Sequence, residues 1–509
     1  MRSGVIDIGS NSIKLLIGES SGDSFTIIES LKNVIPLAND TFSKGRISQS
    51  IINQSLSILE KYKRVLQDYD VTDITVIATT AVREADNREM FVDTVMRKTG
   101  LSIDILTLGD IVYYIDAYLS HKLKDSYPIH EKNILIAELG SGSLDVSVME
   151  QGLSIMHAGL PLGVLRLKQF MSRFDAGGED SFKALTEYIS SEFDYLERSL
   201  PKLTLHDILL IDENYSSFIP CILDKRGCDS RFFQLSIDEA QDLLKRIVDK
   251  SATQLNRSYK VPADIADTMV AYAIILNAVF TLIQNDHIYI LEVSLSEAIM
   301  ANKLLEMEIS KKYNKTNQLV SLATAICKKY AVDMQHAKQV AALSEDLFVE
   351  LKDVLGLKKD NLLYLTMAAY LHDIGAFIHN RAHHKHSEYI INSLNISRLK
   401  EEDVRLIACI ARYHRKAIPS SAHPLYGALP QEQKILVQKL SAILRLANSL
   451  DRSHKQKIKK VEVRRNAKQE LVIAAFSQEN CLFEQQDFND KKEMMEDIAG
   501  SKVSLVIKS

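Results

Sequence analysis

Two loops rich in glycine and serine, each preceded by an acidic residue, are the parts of this sequence best suited to hold an anion. The first comprises Gly9, Ser10, Asn11 and Ser12 and follows Asp7, between the apolar runs VID and IKLLI. Backbone N–H groups of such a turn converge on a small anion, and glycine lets the backbone approach it closely. A carboxylate at the strand end suits Mg²⁺, which prefers oxygen ligands. The alternative is a hairpin made of ordinary turn residues.

The same arrangement returns near residue 133. Glu138 takes the position that Asp7 has in the first pattern, and a second loop follows it, made of Gly140, Ser141, Gly142 and Ser143. Self-similarity over such a distance predicts a duplicated domain with a cleft between its halves. Two facing loops could cradle a phosphate chain. Arg83 is then either a bidentate clamp on phosphate or an ordinary surface arginine.

Histidines and aspartates of the C-terminal third form a second candidate site. The set comprises His336, His372, Asp373, His386, His414 and Asp451. Imidazole and carboxylate suit Zn²⁺, Mn²⁺, Fe or Mg²⁺, and two metals about 3.5–4 Å apart activate water in phosphoryl hydrolysis. We expect one metal ion to be bound by His336, His372, Asp373 and Asp451. With His386 and His414 added, the set could hold a second ion. The alternative is a set of ordinary half-buried histidines on amphipathic helices.

Strands and helices alternate over residues 1 to about 120 and would position the first site. Ile74 to Ala78 is predicted as a strand that passes into a helix near Thr80, and residues 87–100 as a helix capped by Gly100. From about residue 310 long amphipathic helices take over. The last segment opens with the basic run KQKIKKVEVRR and is predicted as strand, strand, helix, strand. The basic run is either a solvated face or a polyanion-binding patch.

Composition excludes several classes of protein. A chain of 509 residues is longer than one core supports, so about two to four domains are expected. Its 46% apolar content is that of a globular protein, and its net charge of −4 argues against generic nucleic-acid binding. Five scattered cysteines without a CxxC pair fit reduced thiols, and no secretory signal is visible, so a cytoplasmic location is expected. The apolar stretch Met269–Ile283 is shorter than the roughly 20 residues that span a bilayer and is predicted as a buried helix.

Five segments in order resemble one known family. They are DIGSNSIKLLI, IATTAVREADNREMF, TGLSIDIL, ELGSGSLDV and GLPLGVLRL. Together they resemble the exopolyphosphatase/guanosine pentaphosphate phosphohydrolase (Ppx/GppA) family, which has the actin/Hsp70-like, ribonuclease H-like fold. The resemblance implies removal of terminal phosphate from inorganic polyphosphate, or of the 5′ phosphate from guanosine pentaphosphate, with a divalent metal. It also implies roles for Asp7 as the acidic residue, for Arg83 as the phosphate-binding arginine and for the two loops as phosphate loops.

The C-terminal part resembles the HD-type domain that longer members of this family carry. His372 and Asp373 end an apolar helix and precede glycine, which is the signature that names HD domains, and the segment RYHRKAI resembles the same extension. The remaining histidines of this region are expected to be bystanders: His379, His383, His384 and His454.

The departures from the family pattern concern proton transfer. The family usually has Glu-Glu-Ala after the TGL segment, where a glutamate is the general base, whereas this chain has LTLGDIVYY. The residue at the position of that glutamate is either Asp110 or Ile111. Isoleucine cannot accept a proton, and the side chain of aspartate is one methylene shorter than that of glutamate. In the second loop Glu138 replaces an aspartate, Ser141 a glycine and Asp145 a glutamate. A usual Leu-Arg-Glu-Gly segment is replaced by residues 299–301, Ile-Met-Ala.

The sequence therefore predicts an α/β protein with a duplicated actin-like domain, an all-α HD-type domain and a small α+β tail. The predicted boundaries are 1–124 and 125–308 for the two actin-like subdomains, 309–454 for the HD-type domain and 455–509 for the tail. In the cleft Asp7, Glu138 and Asp145 are candidate Mg²⁺ ligands. Asp110, Asp7 and Glu138 are the candidate catalytic residues.

Three functions from different classes follow from these observations. The first is a metal-dependent phosphoanhydride hydrolase that acts on polyphosphate or guanosine pentaphosphate. The second places hydrolysis in the HD-type domain and makes the actin-like domain a sensor of polyphosphate or nucleotide. The third is a polyphosphate-binding protein without activity. A fourth possibility, an ATP-driven chaperone or kinase, rests on fold analogy alone. No membrane and no specific nucleic acid are expected as partners, and a homodimer is expected because it is the commonest soluble assembly.

Overall fold

The chain forms two compact units. The computed structural model describes residues 2–172, 179–225, 231–396, 399–415 and 417–508. It divides the chain into Met1–Asn314 and Lys315–Ser509. This division lies after residue 314 rather than after residue 308, because Ile309 and Tyr313 are buried in a core of the N-terminal unit.

The first half of the N-terminal unit is a five-stranded sheet with five helices. Its strands are β1 (Arg2–Ile8), β2 (Ser12–Ser21), β3 (Ser24–Val34), β4 (Ile74–Ala78) and β5 (Ile103–Ile105). Its helices are α1 (Leu37–Lys44), α2 (Gln49–Asp68), α3 (Thr80–Arg83), α4 (Arg88–Thr99) and α5 (Leu108–Lys122). The strand order is β3-β2-β1-β4-β5, with β4 and β5 parallel to β1 and the other pairs antiparallel.

The second half is a six-stranded sheet of the same plan with one added edge strand. Its strands are β6 (Asn133–Leu139), β7 (Leu144–Glu150), β8 (Leu153–Leu160), β9 (Asp207–Asp212), β10 (Phe232–Ser236) and β11 (His287–Glu292). The order is β10-β11-β9-β6-β7-β8. Read from the other edge, the first five strands are β8-β7-β6-β9-β11, which correspond one by one to β3-β2-β1-β4-β5 of the first sheet. This is the duplication that the two loops predicted.

Nine helices are described between β8 and the end of this unit. They are α6 (Val164–Met171), α7 (Glu179–Ser199), α8 (Ile219–Ile222), α9 (Ile237–Ile247), α10 (Ala252–Tyr259), α11 (Ala263–Ala266), α12 (Met269–Val279), α13 (Leu295–Leu304) and α14 (Glu306–Lys312). Short 3₁₀ turns occupy Ser216–Phe218 and Phe280–Leu282. Helix α12 lies in the predicted apolar stretch and is buried. Among the described residues no helix has both the length and the apolar character needed to cross a bilayer.

Matching registers place acidic residues at equivalent points of the two halves. In the β1–β2 hairpin Ile8 pairs with Ile13, and Asp7 pairs with Lys14. In the β6–β7 hairpin Leu139 pairs with Leu144, and Glu138 pairs with Asp145. Each hairpin therefore closes over a four-residue loop and carries its polar pair next to that loop. In each half a parallel strand, β4 or β9, lies on the other side of the central strand.

The C-terminal unit contains both helices and a small sheet. Its helices are α15 (Lys315–Lys329), α16 (Met334–Leu355), α17 (Asn361–Leu371), α18 (His383–Asn392), α19 (Glu401–Arg412), α20 (Pro424–Gly427), α21 (Gln431–Ser449), α22 (Leu482–Lys491) and α23 (Glu493–Ala499). A 3₁₀ turn occupies Ile374–Phe377. The strands β12 (Lys460–Arg465), β13 (Leu471–Phe476) and β14 (Val503–Lys508) form one sheet in the order β12-β13-β14.

One hydrophobic core joins this sheet to the helices. Val461 and Ile473 of the sheet belong to the same cluster of buried side chains as Leu347 of α16 and Ile443 of α21. The prediction of a separate all-α domain followed by an α+β tail is therefore wrong in its division, because the strands and the helices share one core.

The packing of the second loop generates a prediction about stability. A Cβ at Gly163 would clash with the backbone of Gly142, although the φ of −66° at Gly163 suits any residue. Gly163→Ala is therefore expected to lower the free energy of unfolding by about 1–3 kcal/mol, the usual cost of forcing extra volume into a packed site. Urea denaturation would measure this change. Gly140→Ala is the matched control, because its Cβ would meet only the Ser143 carbonyl at 3.5 Å; equal losses in both variants would contradict the argument.

Candidate functional site

The two glycine- and serine-rich loops line one cleft of the N-terminal unit. In the first loop the N–H of Gly9 donates to the carbonyl of Ser12 (2.9 Å), and in the second the N–H of Gly140 donates to the carbonyl of Ser143 (3.0 Å). The same bond therefore closes both loops. All eight loop residues line the cleft: Gly9, Ser10, Asn11, Ser12, Gly140, Ser141, Gly142 and Ser143.

Contacts between the halves hold the second loop against helix α3. The hydroxyls of Thr80 and Ser143 lie 3.4 Å apart, and a Cβ at Gly142 would come within 2.9 Å of Thr80. Arg166 of α6 donates from Nε to the Gly142 carbonyl (3.0 Å) and pairs with Glu84. A larger residue at position 142 would push this loop away from α3.

Four carboxylates at strand ends face this cleft. Asp7, Glu138 and Asp145 were predicted, and the structure adds Glu213, which directly follows β9. Asp7 and Asp145 are each only 4% exposed. Ser296 of α13 donates to Oδ2 of Asp7 (3.3 Å), but Oδ1 of Asp7 is buried without a hydrogen bond from any described residue. Such an orphaned buried oxygen fits a position where a hard cation is bound.

Lys14 is the basic residue closest to these carboxylates. Its ammonium pairs with Glu213 and lies 3.9 Å from Oδ2 of Asp7. Burial alone would lower the pKa of Lys14, but Glu213 and Asp7 outweigh it and raise the pKa above its usual value. Lys14 is therefore protonated, and it compensates part of the negative charge.

Burial and mutual repulsion change the acidity of the carboxylates. Burial, then the charges of Asp145, Glu213 and Asp7, raise the pKa of Glu138 to about 8. Burial raises the pKa of Asp145 to about 6, against the opposing influence of Arg83 and of the Ser143 hydroxyl. Burial also raises the pKa of Asp7. Their raised pKa values mean that these groups retain protons near neutral pH, and a divalent cation would replace those protons.

Arg83 and Asp110 are held by their own helices. Arg83 ends α3 and donates from Nη1 to the Leu106 carbonyl (2.7 Å) and from Nη2 to Thr80 Oγ1 (3.2 Å). Asp110 accepts from both the N–H (3.1 Å) and the hydroxyl (2.7 Å) of Thr107, which forms the capping box of α5. Neither is among the described residues that line the cleft, whereas Ile111 is.

Histidines of the C-terminal unit surround the carboxylate of Asp373. Oδ1 of Asp373 lies 3.1 Å from Nε2 of His383 and 3.5 Å from Nε2 of His414. Oδ2 lies 3.5 Å from Nε2 of His372 and 3.9 Å from Nε2 of His336. Each carboxylate oxygen therefore faces its own pair of ring nitrogens. This is the arrangement of a carboxylate shared between two cations.

Backbone carbonyls fix the orientation of these rings. Nδ1 of His372 lies 2.7 Å from the Ala369 carbonyl, and Nδ1 of His414 lies 2.6 Å from the Ala411 carbonyl. Each Nδ1 is thus the donor, which leaves the Nε2 lone pair pointing at Asp373. Nε2 of His372 is buried and has no hydrogen-bond partner among the described residues. The set fits metal ions, which need neutral imidazole with a free lone pair.

The pKa values of two of these rings and of Asp373 agree with neutral imidazole beside an ionised carboxylate. Burial, more than any neighbour, lowers the pKa of His372 to about 4 and that of His414 well below its usual range. Burial opposes ionisation of Asp373, but His372 and the other rings hold its pKa well below the usual value. Burial lowers the pKa of His384 to about 4, and the charges of Arg412, Arg415 and Lys385 act in the same direction.

The structure redistributes three of the predicted roles. Oδ2 of Asp451 lies 2.9 Å from Nδ1 of His336, so this carboxylate orients the ring from behind. His454 stacks on His336 with ring centroids 3.7 Å apart and joins it and Asp373 in a group of ligand-type atoms.

His383 takes the place expected of His386. It begins α18, whereas His386 lies about 4.5 Å farther along that helix axis and belongs to neither group of described ligand atoms. His383 and His454, which the sequence predicted to be bystanders, both lie in the cluster.

Models of known families match nearly the whole chain. The Ppx/GppA phosphatase family matches residues 16–307, and domain III of Ppx/GppA phosphatases matches residues 320–497. The chain belongs to the Ppx/GppA phosphatase family. It is therefore an enzyme of a hydrolase family, and its two structural units correspond to these two matched regions.

Named relatives of this Ppx/GppA chain cover different shares of it. It is 22% identical over 454 residues to a guanosine-5′-triphosphate,3′-diphosphate pyrophosphatase of Pseudoalteromonas translucida, covering 87% of this chain and 86% of the relative. It is 28% identical over 194 residues to exopolyphosphatase 1 of Mycobacterium bovis, covering 38% of this chain and 55% of the relative.

Solved structures agree on the fold of this Ppx/GppA member. An exopolyphosphatase from Cytophaga hutchinsonii superposes with a TM-score of 0.53 at 18% identity, over 60% of this chain and 98% of that one. A Ppx/GppA family member from Aquifex aeolicus superposes with a TM-score of 0.52 at 20% identity, over 60% and 98% respectively. These likenesses support the actin-like α/β architecture.

Glu213 is the cleft residue that sequence reasoning missed in this Ppx/GppA chain. Its signal was present, because the segment ILLIDEN is an apolar run that ends in acidic residues, as the runs before Asp7 and Glu138 do. The neighbouring Asp212 accepts from the N–H groups of Asn214 and Tyr215 (3.0 and 2.7 Å), and this tight turn presents Glu213 at the cleft.

The raised pKa of Glu138 predicts a pH-dependent stability of the metal-free protein. Between its ordinary value of 4.5 and about 8 the folded protein holds a proton that the unfolded chain has lost. Stability therefore falls as pH rises through this window. Glu138→Gln is expected to reduce the difference in free energy of unfolding between about pH 5 and about pH 8 by about 1–2 kcal/mol, below the full shift because the residue is partly exposed and shares its charge with neighbours.

Urea denaturation in the presence of a chelator would measure this difference at both pH values. Glu150→Gln is the matched control, since Glu150 ends β7 and is exposed. The control should keep the wild-type pH dependence. An unchanged pH dependence in Glu138→Gln would contradict the assignment.

Proposed function

We propose that this Ppx/GppA phosphatase is a metal-dependent phosphoanhydride hydrolase whose reaction takes place in the N-terminal cleft. The substrates proposed are inorganic polyphosphate, from which it would release terminal phosphate, or guanosine pentaphosphate, from which it would release the 5′ phosphate. The named relatives support these substrates. The observation that carries the proposal is the pairing of two identically closed loops with four carboxylates in one cleft.

The chain's own residues supply three parts of this chemistry. The N–H groups of the two loops and the hydroxyls of Ser10 and Ser143 offer donors to phosphate oxygens. Asp7, Glu138 and Asp145 would hold Mg²⁺, which fits the orphaned Oδ1 of Asp7 and the protons that these carboxylates share. When bound, Mg²⁺ neutralises phosphate charge and stabilises the charge that develops on the leaving oxygen.

Activation of water is the part that the family pattern leaves open. Asp110 is occupied by the capping box of α5, and the cleft-lining residue beside it is Ile111. Glu213 lines the cleft, its side chain is 32% exposed, and it belongs to neither hairpin. We therefore propose Glu213 as the group that takes a proton from the attacking water, in place of Asp110.

Replacing one carboxylate oxygen with an amide nitrogen distinguishes the two candidate general bases, Glu213 and Asp110. Glu213→Gln is expected to lower kcat for phosphate release by about 10²–10⁴-fold, the usual contribution of a general base. Asp110→Asn should keep kcat near wild type and cost only stability, because it weakens a helix cap. The measurement is phosphate release at saturating substrate. Loss of kcat in Asp110→Asn but not in Glu213→Gln would make Asp110 the general base.

The histidine cluster supports a second candidate function, a metal-dependent phosphohydrolase in the C-terminal unit. Its specific support is the buried, unpartnered Nε2 of His372 together with the two oxygens of Asp373 facing separate ring pairs. Zn²⁺, Mn²⁺ or Fe are the ions that this donor set suits. The cleft would then sense polyphosphate or nucleotide.

Variants in each unit decide between the two sites. Asp7→Ala is expected to lower phosphate release from polyphosphate and from guanosine pentaphosphate by at least about a hundredfold, because it removes an electrostatic contact made in the transition state. His372→Ala/Asp373→Ala should leave that activity within a few-fold of wild type. Phosphate release in Mg²⁺ and in Mn²⁺ is the measurement.

Asp104→Ala serves as control for Asp7→Ala, because Asp104 lies in the same sheet but is exposed. Loss of activity only in the His372→Ala/Asp373→Ala variant would assign hydrolysis to the C-terminal unit. Binding of polyphosphate without release by the wild type, in either metal, would favour a binding protein. A homodimer and a cytoplasmic location stay predictions from the sequence.

A further inference from the structure

A guanidinium without an acidic partner lies at the histidine cluster of the C-terminal unit. Arg415 directly follows His414 and is half-buried. Its Nη1 lies 3.3 Å from Nδ1 of His383. No carboxylate of the described residues lies within 4.0 Å of its nitrogens. Among the described residues this ring nitrogen is the one hydrogen-bond contact of Arg415, so most of its five N–H donors are left for an acceptor from outside the chain.

The neighbouring arginine shows what a structural guanidinium looks like here. Arg412 is buried, and its Nη1 pairs with Glu388 of α18. Both side chains of this pair are largely shielded, at 9% and 14% exposure. The charge of Arg412 is therefore neutralised within the fold. The charge of Arg415 is not.

The contact between Arg415 and His383 does not satisfy the arginine when the ring binds a metal. Nδ1 of His383 also lies 3.1 Å from the Asn380 carbonyl. A ring that ligates through Nε2 carries its proton on Nδ1 and donates it to that carbonyl. Nδ1 then has no lone pair for Arg415. The guanidinium remains beside the metal-facing ring with its donors unused.

The charges around Arg415 favour an anion. Lys385 and Arg381 are exposed residues near His383 in the chain, and Lys385 and Arg415 both act on His384. The nearest acidic group on α18, Glu388, is already paired with Arg412. Arg415 and Lys385 therefore give this part of the cluster positive charge, and the side chain of Asp373 beside His383 is 22% exposed.

We propose that Arg415 binds the terminal phosphoryl group of a substrate at this cluster. This inference rests on the second candidate function, that the cluster holds metal ions. The planar guanidinium offers two parallel N–H groups to two oxygens of one phosphoryl group, a geometry that lysine cannot reproduce. The substrate class is a phosphate ester or anhydride with a terminal phosphoryl group, either a nucleotide or an inorganic polyphosphate.

Binding of inorganic phosphate to the full-length, Mn²⁺-loaded protein tests this assignment. Titration calorimetry would compare wild type, Arg415→Ala, Arg415→Lys and His372→Ala/Asp373→Ala, with the manganese content of each measured separately. The binding event lost in the double variant belongs to the cluster, which distinguishes it from binding in the cleft. Arg405→Ala is the matched control, because Arg405 is a half-buried arginine on the adjoining helix α19.

Arg415→Ala is expected to weaken the cluster event by about tenfold to a hundredfold, the usual loss for a charge-assisted hydrogen bond, with unchanged manganese content. Arg415→Lys should recover part of it, and Arg405→Ala should match wild type. Titrations with inorganic triphosphate and with guanosine monophosphate then identify the source of the phosphoryl group, because Arg415→Ala weakens whichever ligand the cluster binds.

Three results would overturn the inference, and they differ in what else they affect. Unchanged phosphate affinity in Arg415→Ala with normal manganese content removes the inference but leaves the metal centre. Loss of manganese in Arg415→Ala makes the residue a support of His383 rather than a phosphate ligand. Equal manganese content in wild type and in His372→Ala/Asp373→Ala removes the metal centre and, with it, the role of Arg415.

Discussion

Repulsion between carboxylates is the physical constraint around which the N-terminal unit is organised. Asp7, Glu138, Asp145 and Glu213 meet at strand ends, where Lys14 and Arg83 offset part of their charge. Bringing such groups together and partly out of water costs free energy unless protons or cations compensate. The duplicated hairpins place Asp7, Glu138 and Asp145 there by register, because these residues lie in the strand pairs next to the two loops. Glu213 directly follows the end of β9. The fold thus keeps a strained charge arrangement that a bound cation relieves.

The C-terminal unit solves the opposite electrostatic problem. There one carboxylate, Asp373, is surrounded by four rings, and burial lowers the pKa of two of them, His372 and His414, while the pKa of Asp373 stays well below its usual value. The cleft offers oxygens and suits a hard cation, whereas the cluster offers mostly nitrogen and suits a borderline metal. Both sites lie where regular elements end, at strand ends in one unit and at helix ends in the other. One chain therefore carries two donor sets that suit different metal ions.

Local patterns made most of the fold and of the cleft predictable. An apolar run, an acidic residue and a glycine–serine turn specify a strand and its loop within a few residues, so Asp7, Glu138 and both loops could be found. Glu213 was missed because its strand is followed by a turn without glycine. The structure gives the carboxylate of Asp110 a place in a helix cap, and Thr107 three residues earlier already indicates this capping box in the sequence. The choice between His383 and His386 depends on where α18 begins, and helix boundaries are the least certain part of a sequence pattern.

The ion pair between Lys14 and Glu213 has a consequence for how the cleft admits a ligand. Lys14 belongs to β2 of the first half, and Glu213 follows β9 of the second, so the pair ties the two halves together across the cleft. A phosphate that recruits Lys14 must first compete with a carboxylate that is already in place. Binding of phosphate would then replace Glu213 as the counter-ion of Lys14. Because the Lys14–Glu213 pair connects the two halves, this replacement would also weaken the contact between them. Because the side chain of Lys14 is only 18% exposed, ionic strength should affect this exchange less than it affects contacts on open surfaces.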